Sequence, residues 1–228
     1  QRINKLAKQG AKKTVGIRRP LHANPYLSFE GARTSEFVCK ELDRLGIDYT
    51  KGFVKTGIVA HVMGNDPESK VVALRADMDA LPITELNDVP YRSTQKGVMH
   101  ACGHDVHTAS LLGTASILNQ IKSSFEGTVK LIFQPGEERL PGGASLMIKE
   151  GALDSPTASA IIGQHVYPQL EAGKVGMRPG MYMASADELH VTVNGKGGHG
   201  ALPQNCIDPV LITSAQGLYN SVAMRHAL

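Results

Sequence analysis

The spacing of apolar residues predicts that strands and helices alternate over most of this chain. Short, mainly apolar runs predict strands at 57–63, 71–74, 129–133 and 158–163, and the run at 71–74 is continuously apolar, as is typical of a strand buried on both faces. Between these runs, apolar residues recur every three to four positions, which predicts helices at 34–45, 106–122 and 143–150. This alternation indicates an α/β fold in which helices surround a mostly parallel sheet.

The pattern changes after residue 184. Residues 188–194 alternate apolar and polar side chains, as in a strand with one exposed face, and glycines crowd the following loop at 195–200. Residues 208–226 then have the spacing of a helix, with Pro209 in its first turn. We therefore expect one domain over 1–184 and, over 185–228, the first part of a second domain that this chain does not complete.

Composition is that of an ordinary globular protein and argues against several functional classes. The 228 residues are 42% hydrophobic and 20% charged, and a net charge of +3 is too small to indicate a nucleic-acid partner. No apolar run approaches the length of a membrane span. Three scattered cysteines fit a reducing compartment such as the cytoplasm better than a disulfide framework. The first residue is Gln1, not Met, so the sequence leaves open whether an N-terminal leader peptide has been removed.

The densest chemistry lies in residues 98–107, which hold three histidines, a cysteine and an aspartate. Cys102 and His104 flank Gly103, where the backbone can turn tightly, and both side chains can then face one cation. Cys-x-His on its own is more often a buried thiol beside solvated histidines. Asp105 is placed to cap the helix that follows.

Two further segments favour a metal site. Glu137 and Glu138 follow a predicted buried strand, so one carboxylate can bind a metal while the other acts as a base on water. His165 also follows an apolar strand and completes a ligand set with Cys102, His104 and Glu138. Aspartates that orient ligand imidazoles and aspartates that cap loops are about equally common, and both readings stand for Asp77 and Asp79.

Three other hypotheses compete with a metal-dependent enzyme. Cys102 could be a nucleophile with His104 or His107 as its base, which leaves the two glutamates unexplained. The chain could instead be a metal-binding or interaction module without catalysis. Residues 195–200 match G-x-G-x-x-G, but Pro203 stands where a dinucleotide-binding helix should begin, so we reject that reading.

Taken together, the ordered motifs resemble a known family, the dinuclear metal amidohydrolases that include hippurate hydrolases, N-acyl-amino-acid deacylases and auxin-conjugate hydrolases, within the aminoacylase and carboxypeptidase superfamily. The motifs span nearly the whole chain and occupy 18–22, 25–30, 74–82, 100–107, 133–138, 163–166, 195–200 and 208–209.

The resemblance implies a catalytic α/β domain with an inserted α+β lid that mediates homodimerisation. It also implies two divalent transition-metal ions (zinc, manganese, cobalt or nickel) and a small N-acyl amino acid or peptide as substrate, with no nucleic-acid or membrane partner. The implied metal ligands are Cys102, His104, Glu138 and His165, with Glu137 as general base and His199 polarising the scissile carbonyl. We assign Asp77, Asp79, Asp105 and His107 to supporting positions around these ligands.

The chain also departs from the family pattern. An acidic residue is usual where Pro20 and Tyr26 stand, and alanine is usual at Gly136 and Gly200. None of these changes removes an implied ligand. The family has one more histidine ligand after its lid, which we expect beyond Leu228.

Overall fold

The computed structural model describes residues 2–181, 183, 191–215 and 217. The chain divides into two compact units, residues 1–172 and residues 173–228. All of the candidate metal ligands belong to the first unit, whereas His199 belongs to the second. The division lies before the boundary expected at residue 185, and the assignment of 185–228 to a lid domain stays a prediction.

From residue 71 onwards, strands and helices alternate in the first unit, as the apolar pattern predicts, whereas two helices and two further strands come before that point. The elements are α1 (Arg2–Ala23), α2 (Ala32–Leu45), β1 (Tyr49–Phe53), β2 (Gly57–Met63), β3 (Val71–Asp77), α3 (His104–Gln120), β4 (Thr128–Gln134), α4 (Gly143–Lys149) and β5 (Ala160–Gly163). A short 3₁₀ turn, Lys122–Ser124, follows α3. Strand β1 escaped prediction because its five residues, three of them exposed, contain no apolar run.

The five strands form one sheet in the order β1-β2-β4-β3-β5. Strand β2 pairs antiparallel with β1 and β4, whereas β3 pairs parallel with β4 and β5, so four strands share one direction. Asp77 lies opposite Gln134, and Arg75 lies opposite Gly163. The segments that leave β3, β4 and β5 therefore emerge at the same edge of the sheet, where open α/β folds bind their ligands.

Two apolar clusters hold the sheet, one against each face. Ile58 of β2 and Leu131 of β4 pack with α2 and α3 in the larger cluster, which includes the fully buried Leu42. Their neighbours Val59 and Ile132 point to the opposite face and pack with α4 and the segment after it. Burial of each large apolar side chain contributes about 2 kcal/mol, which fixes the register of the strands and the sheet edge they share.

The second unit is described only in part. Lys196 and Ile207 form an antiparallel bridge, with both backbone hydrogen bonds at 2.9 Å, and this bridge closes the glycine loop that carries His199. A 3₁₀ turn at Pro203–Asn205 follows the glycines, and residues 209–215 are helical. The strand predicted at 188–194 falls partly outside the described residues, and residues 191–194 have no strand structure. Most of the helix predicted at 208–226 also lies outside them.

Among the described residues, none of the helices is both long enough and apolar enough to cross a membrane.

Candidate metal centre

The candidate site forms where three strands end and α3 begins. Asp77 and Asp79 leave β3, the two glutamates follow β4, and His165 follows β5 by two residues. Cys102 precedes α3, and His104 is the first residue of that helix. The topology therefore delivers all of these side chains to one edge of the sheet, although they are far apart in sequence.

The structure brings the candidate ligand atoms close together. Sγ of Cys102 lies 3.3 Å from Nε2 of His165, and ligand atoms of these two residues and His104 all lie within 4.8 Å of one another. His104, Glu137 and Glu138 form a second such group. Nε2 of His104 lies 3.7 Å from Oε1 of Glu138. His104 thus joins the two groups into one continuous cluster of sulfur, nitrogen and oxygen donors.

Two atoms at the centre of this cluster have no hydrogen-bond partner among the described residues. They are Nε2 of His104 and Oε1 of Glu138, and both are buried. Buried polar atoms are nearly always satisfied, so an unpartnered imidazole nitrogen facing an unpartnered carboxylate oxygen calls for a shared ligand. Imidazole, carboxylate and thiolate are together a donor set for zinc and neighbouring transition metals, and the residues present therefore fit such an ion.

The charges in the cluster also favour a cation. Burial raises the pKa of the Cys102 thiol to about 12, and the negative charge of Glu138 adds to that rise. Burial likewise raises the pKa of Glu138. Burial lowers the pKa of His104, but its hydrogen bond to Asp79 and the charges of nearby carboxylates outweigh this effect and raise the pKa. Negative charges on Cys102 and Glu138 would repel each other, and a bound cation would relieve that repulsion.

Asp79 positions both halves of the cluster. Its Oδ1 lies 3.2 Å from Nδ1 of His104, while its Oδ2 accepts backbone N–H bonds from Glu137 at 2.8 Å and Glu138 at 2.9 Å. Ser28 donates a further hydrogen bond to Oδ2. Burial raises the pKa of Asp79, but these hydrogen bonds outweigh it and lower the pKa to about 2. Asp79 therefore supports the loop backbone and a candidate ligand at once.

Asp77 and His107 form a neighbouring pair. Oδ1 of Asp77 lies 2.6 Å from Nδ1 of His107, and Nε2 of His107 accepts the backbone N–H of Val166 at 2.9 Å. Asp77, His104 and His107 also stand close enough to form a third potential metal group. However, both ring nitrogens of His107 already have partners, so His107 serves better as a support for the segment beside His165.

The close approach of two loops depends on Gly103. This residue has φ +92°, and a Cβ at this position would lie 2.5 Å from Cγ2 of Val166. Glycine is therefore required both by the backbone conformation and by the space that Val166 occupies. It allows the segment of Cys102 to approach that of His165.

The predicted capping role of Asp105 is wrong. Helix α3 begins at His104, its N-terminal cap is Gly103, and no side chain bonds to the cap. Asp105 lies inside the first turn, where its Oδ2 lies 2.8 Å from Nε of Arg18 and 2.9 Å from Nδ1 of His22. Because α3 starts two residues earlier than predicted, this carboxylate faces α1 rather than the free N–H groups of its own helix.

Sequence reasoning missed other contributors to the site. Ser28 touches Asp79, Arg75 touches Asp77, and the side chain of Gln134 bonds to the backbone of Gly136. The spacing of Arg75 and Asp77 offered one signal, because residues two apart on a strand share a face.

His199 is exposed in the part of the second unit that the structure describes. Its Nδ1 accepts the backbone N–H of Ala201 at 3.1 Å.

Comparison with known proteins identifies the family. The model of Peptidase family M20/M25/M40 matches residues 73–226. An N-acyl-L-amino acid amidohydrolase of Geobacillus stearothermophilus is 42% identical over 212 residues, which cover 93% of this chain and 56% of that protein. The chain thus spans about half the length of this curated relative.

Two solved structures share the fold. A putative aminohydrolase from methicillin-resistant Staphylococcus aureus has a TM-score of 0.80 and 37% identity over 98% of this chain and 59% of that one. The YXEP protein of Bacillus subtilis, described as a dinuclear metal binding peptidase from the M20 family, has a TM-score of 0.67 and 41% identity over 72% of this chain and 45% of that one. With the cluster at the sheet edge and the family match over 73–226, the chain belongs to Peptidase family M20/M25/M40.

Proposed function

We propose that this chain is the metal-binding part of an amidohydrolase that cleaves the amide bond of N-acyl amino acids or related small conjugates. The observation that carries the proposal is the pair of buried, unpartnered atoms, Nε2 of His104 and Oε1 of Glu138, beside the exposed Glu137. The amidohydrolase name of the Geobacillus relative supports the same reaction class. The inference that the bond is an amide and the substrate is small rests on the name of that relative and on the donor set of the cluster.

Cys102, His104, Glu138 and His165 are the residues that would hold the metal. Two divalent transition-metal ions, when bound, would polarise the scissile carbonyl and lower the pKa of an attacking water. A thiolate with imidazole and carboxylate suits zinc, cobalt, nickel or manganese, so the donor set leaves the choice of metal open. The dinuclear description of the YXEP protein supports a pair of ions.

Glu137 is suited to the proton transfers. It is exposed, whereas the adjacent Glu138 is partly buried, and the backbone N–H groups of both are held by Asp79. Because the turn is held in place and exposes only one of the two carboxylates, Glu138 can bind metal while Glu137 acts as a base. Glu137 would accept a proton from the attacking water and pass it to the leaving amine.

We propose that His199 polarises the scissile carbonyl. A histidine on a loop closed by the Lys196–Ile207 bridge can present Nε2 to the oxyanion of the tetrahedral intermediate. We propose that the loop acts across a homodimer formed through the lid, and that the enzyme resides in a reducing compartment such as the cytoplasm. Cys39, Cys102 and Cys206 are all free, which supports such a location.

Paired glutamine variants test the proposal. Glu137→Gln should bind metal like the parent and lose about 10²–10⁴-fold in kcat, because only the proton transfer is removed. Glu138→Gln should lose metal affinity as well. Metal content by elemental analysis and hydrolysis of an N-acyl amino acid, both on the full-length protein, separate the two effects. Unchanged turnover in both variants would show that the assignment is wrong. Equal metal binding with no hydrolysis in any form, the parent included, would favour a non-catalytic module.

A cysteine hydrolase is the second candidate, because Sγ of Cys102 lies 3.3 Å from Nε2 of His165. The raised pKa of this thiol argues against a nucleophilic thiolate. Of the two bases that the sequence suggested, His107 has both ring nitrogens occupied, Nδ1 by Asp77 and Nε2 by the N–H of Val166. Activity that survives chelation but is lost on thiol alkylation would favour this candidate.

A further inference from the structure

Arg75 lies at the junction of the strands that carry the site. It is on β3, opposite Gly163 of β5, and its side chain is 23% exposed. Nε donates to Oε1 of Gln134 at 2.8 Å, and Nη1 donates to Oδ2 of Asp77 at 2.6 Å. The guanidinium thus makes two hydrogen bonds to side chains from two different strands.

One of these hydrogen bonds begins a path to His165. Asp77 holds Nδ1 of His107 through its other oxygen at 2.6 Å, and Nε2 of His107 accepts the N–H of Val166 at 2.9 Å. The carbonyl of Val166 then accepts Nδ1–H of His165 at 2.7 Å. This last bond directs Nε2 of His165 towards Cys102.

The other hydrogen bond begins a path to the glutamates. Gln134 accepts from Arg75 with Oε1 and donates with Nε2 to the carbonyl of Gly136 at 2.6 Å. The same carbonyl accepts the N–H of Gly143, the first residue of α4. Gly136 immediately precedes Glu137 and Glu138, so this path fixes the start of the turn that carries both carboxylates.

We propose that Arg75 is a positioning residue that ties the His165 segment to the Glu137–Glu138 turn and thereby sets the affinity of the site for its metal. This inference rests on the proposed function. A lysine could neutralise Asp77, but a single ammonium lacks the rigid, planar pair of donors that reaches Asp77 and Gln134 together. The requirement is therefore for the geometry of arginine and not only for its charge.

The test compares Arg75→Lys and Arg75→Met with the control Arg44→Lys, which alters an exposed arginine that makes two hydrogen bonds to Glu41. Cobalt(II) is the probe, and its affinity and the absorption of the thiolate–cobalt complex are measured on the full chain. Arg75→Lys should bind cobalt(II) about 10–100-fold more weakly than the parent, the usual effect of removing a support of metal ligands, and should change the spectrum. Arg44→Lys should match the parent in both readouts.

A second readout needs no metal. In the metal-free protein, Arg75→Lys should speed hydrogen exchange at both the Val166 amide and the Gly143 amide. We expect each rate to rise about tenfold or more, because both hydrogen-bonded paths lose their common origin. Gln134→Met should speed exchange at Gly143 and leave Val166 unchanged, because it breaks one path only. This variant and Arg75→Lys carry the test if Arg75→Met fails to fold.

Two results would overturn the inference. One is an Arg75→Lys variant with parental cobalt(II) affinity and spectrum, and the other is a change in exchange at only one of the two amides. If the parent binds no cobalt(II) while both amides respond as expected, the proposed function fails and the positioning role of Arg75 stands.

Discussion

Nδ1 of His104 lies 3.2 Å from Oδ1 of Asp79, and this contact decides which ring nitrogen faces the candidate metal centre. When Nδ1–H of neutral His104 donates to this carboxylate, Nε2 is the ring nitrogen left to bind a metal, and it lies 3.6 Å from Oδ2 of Asp77 and 3.7 Å from Oε1 of Glu138. The other oxygen of Asp79 holds the backbone of the two glutamates. One carboxylate thus fixes the orientation of an imidazole and the position of the turn opposite it.

Asp79→Asn should therefore weaken metal binding about 10–100-fold without removing a ligand. An asparagine must turn its NH₂ group either towards Nδ1–H of His104 or towards the backbone N–H groups of Glu137 and Glu138. Either choice sets donors against donors. Isothermal titration with zinc on metal-free protein provides the measurement, and Ser28→Ala, which removes only one hydrogen bond to Asp79, is the control. A larger loss of zinc affinity in Ser28→Ala than in Asp79→Asn would contradict this account.

Gly103→Ala should destabilise the protein and weaken its hold on metal. The loss of stability comes from backbone strain, because φ is +92°, and the loss of metal affinity comes from a clash, because the new Cβ would lie 2.5 Å from Cγ2 of Val166. Gly97→Ala is a matched control, because Gly97 has φ +77° but a Cβ added there would meet nothing within 4 Å. Each variant should lose about 1–2 kcal/mol of unfolding free energy from strain. Only Gly103→Ala should also lose zinc affinity, because only that side chain displaces the segment beside His165. Urea unfolding and zinc titration measure the two effects separately.

His22→Gln tests a buried network next to the site. Nδ1 of His22 lies 2.9 Å from Asp105 and Nε2 lies 3.0 Å from Glu85, within a packed environment that includes the rings of Tyr91 and His100. The hydrogen bond to Asp105 raises the pKa of His22, although burial opposes the rise and Glu85 adds to it. A raised folded pKa contributes stability that is fully present below the unfolded pKa of about 6.5 and is lost as pH rises through the folded pKa.

The difference in unfolding free energy between the parent and His22→Gln should accordingly be largest below about pH 6, at about 2 kcal/mol for the loss of hydrogen bonds to charged groups. It should shrink as the pH rises. Urea titrations at several pH values check this, and a difference that grows towards alkaline pH would contradict the assigned pKa direction.

His199→Ala should leave metal content and folding unchanged and lower kcat more than it raises KM. Its partner charge develops only in the transition state, and loss of one such donor costs about 10²–10³-fold. Mixing His199→Ala with Glu137→Gln in the full-length protein decides the geometry, because a loop that acts across a dimer restores one intact site in a mixed pair. If subunit exchange is verified and no activity returns, the histidine does not act across a dimer.

Much of the fold could be predicted from the chain alone. Apolar runs predicted β2, β3, β4 and β5, and the first three are mostly buried, as expected for strands that are covered on both faces. Strand β5 gave the same signal, although all four of its residues are exposed. Helix α2 ends at Leu45 and is followed by Gly46 with φ +64°, as the glycine after its last apolar residue indicated. Strand β1 left no such signal because it lies at the sheet edge with most of its residues exposed.

The chain alone was enough to single out the candidate site residues, since Cys102, His104 and the two glutamates stand beside one another or within short, recognisable spacings. It could not determine their partners. That Arg75 bonds to Gln134, or that Asp105 faces His22 instead of capping α3, depends on strand order and helix packing that join residues tens of positions apart. The local sequence shows which side chains follow each predicted strand. Hydrogen bonds between distant segments form only after burial of the apolar faces has fixed the sheet register.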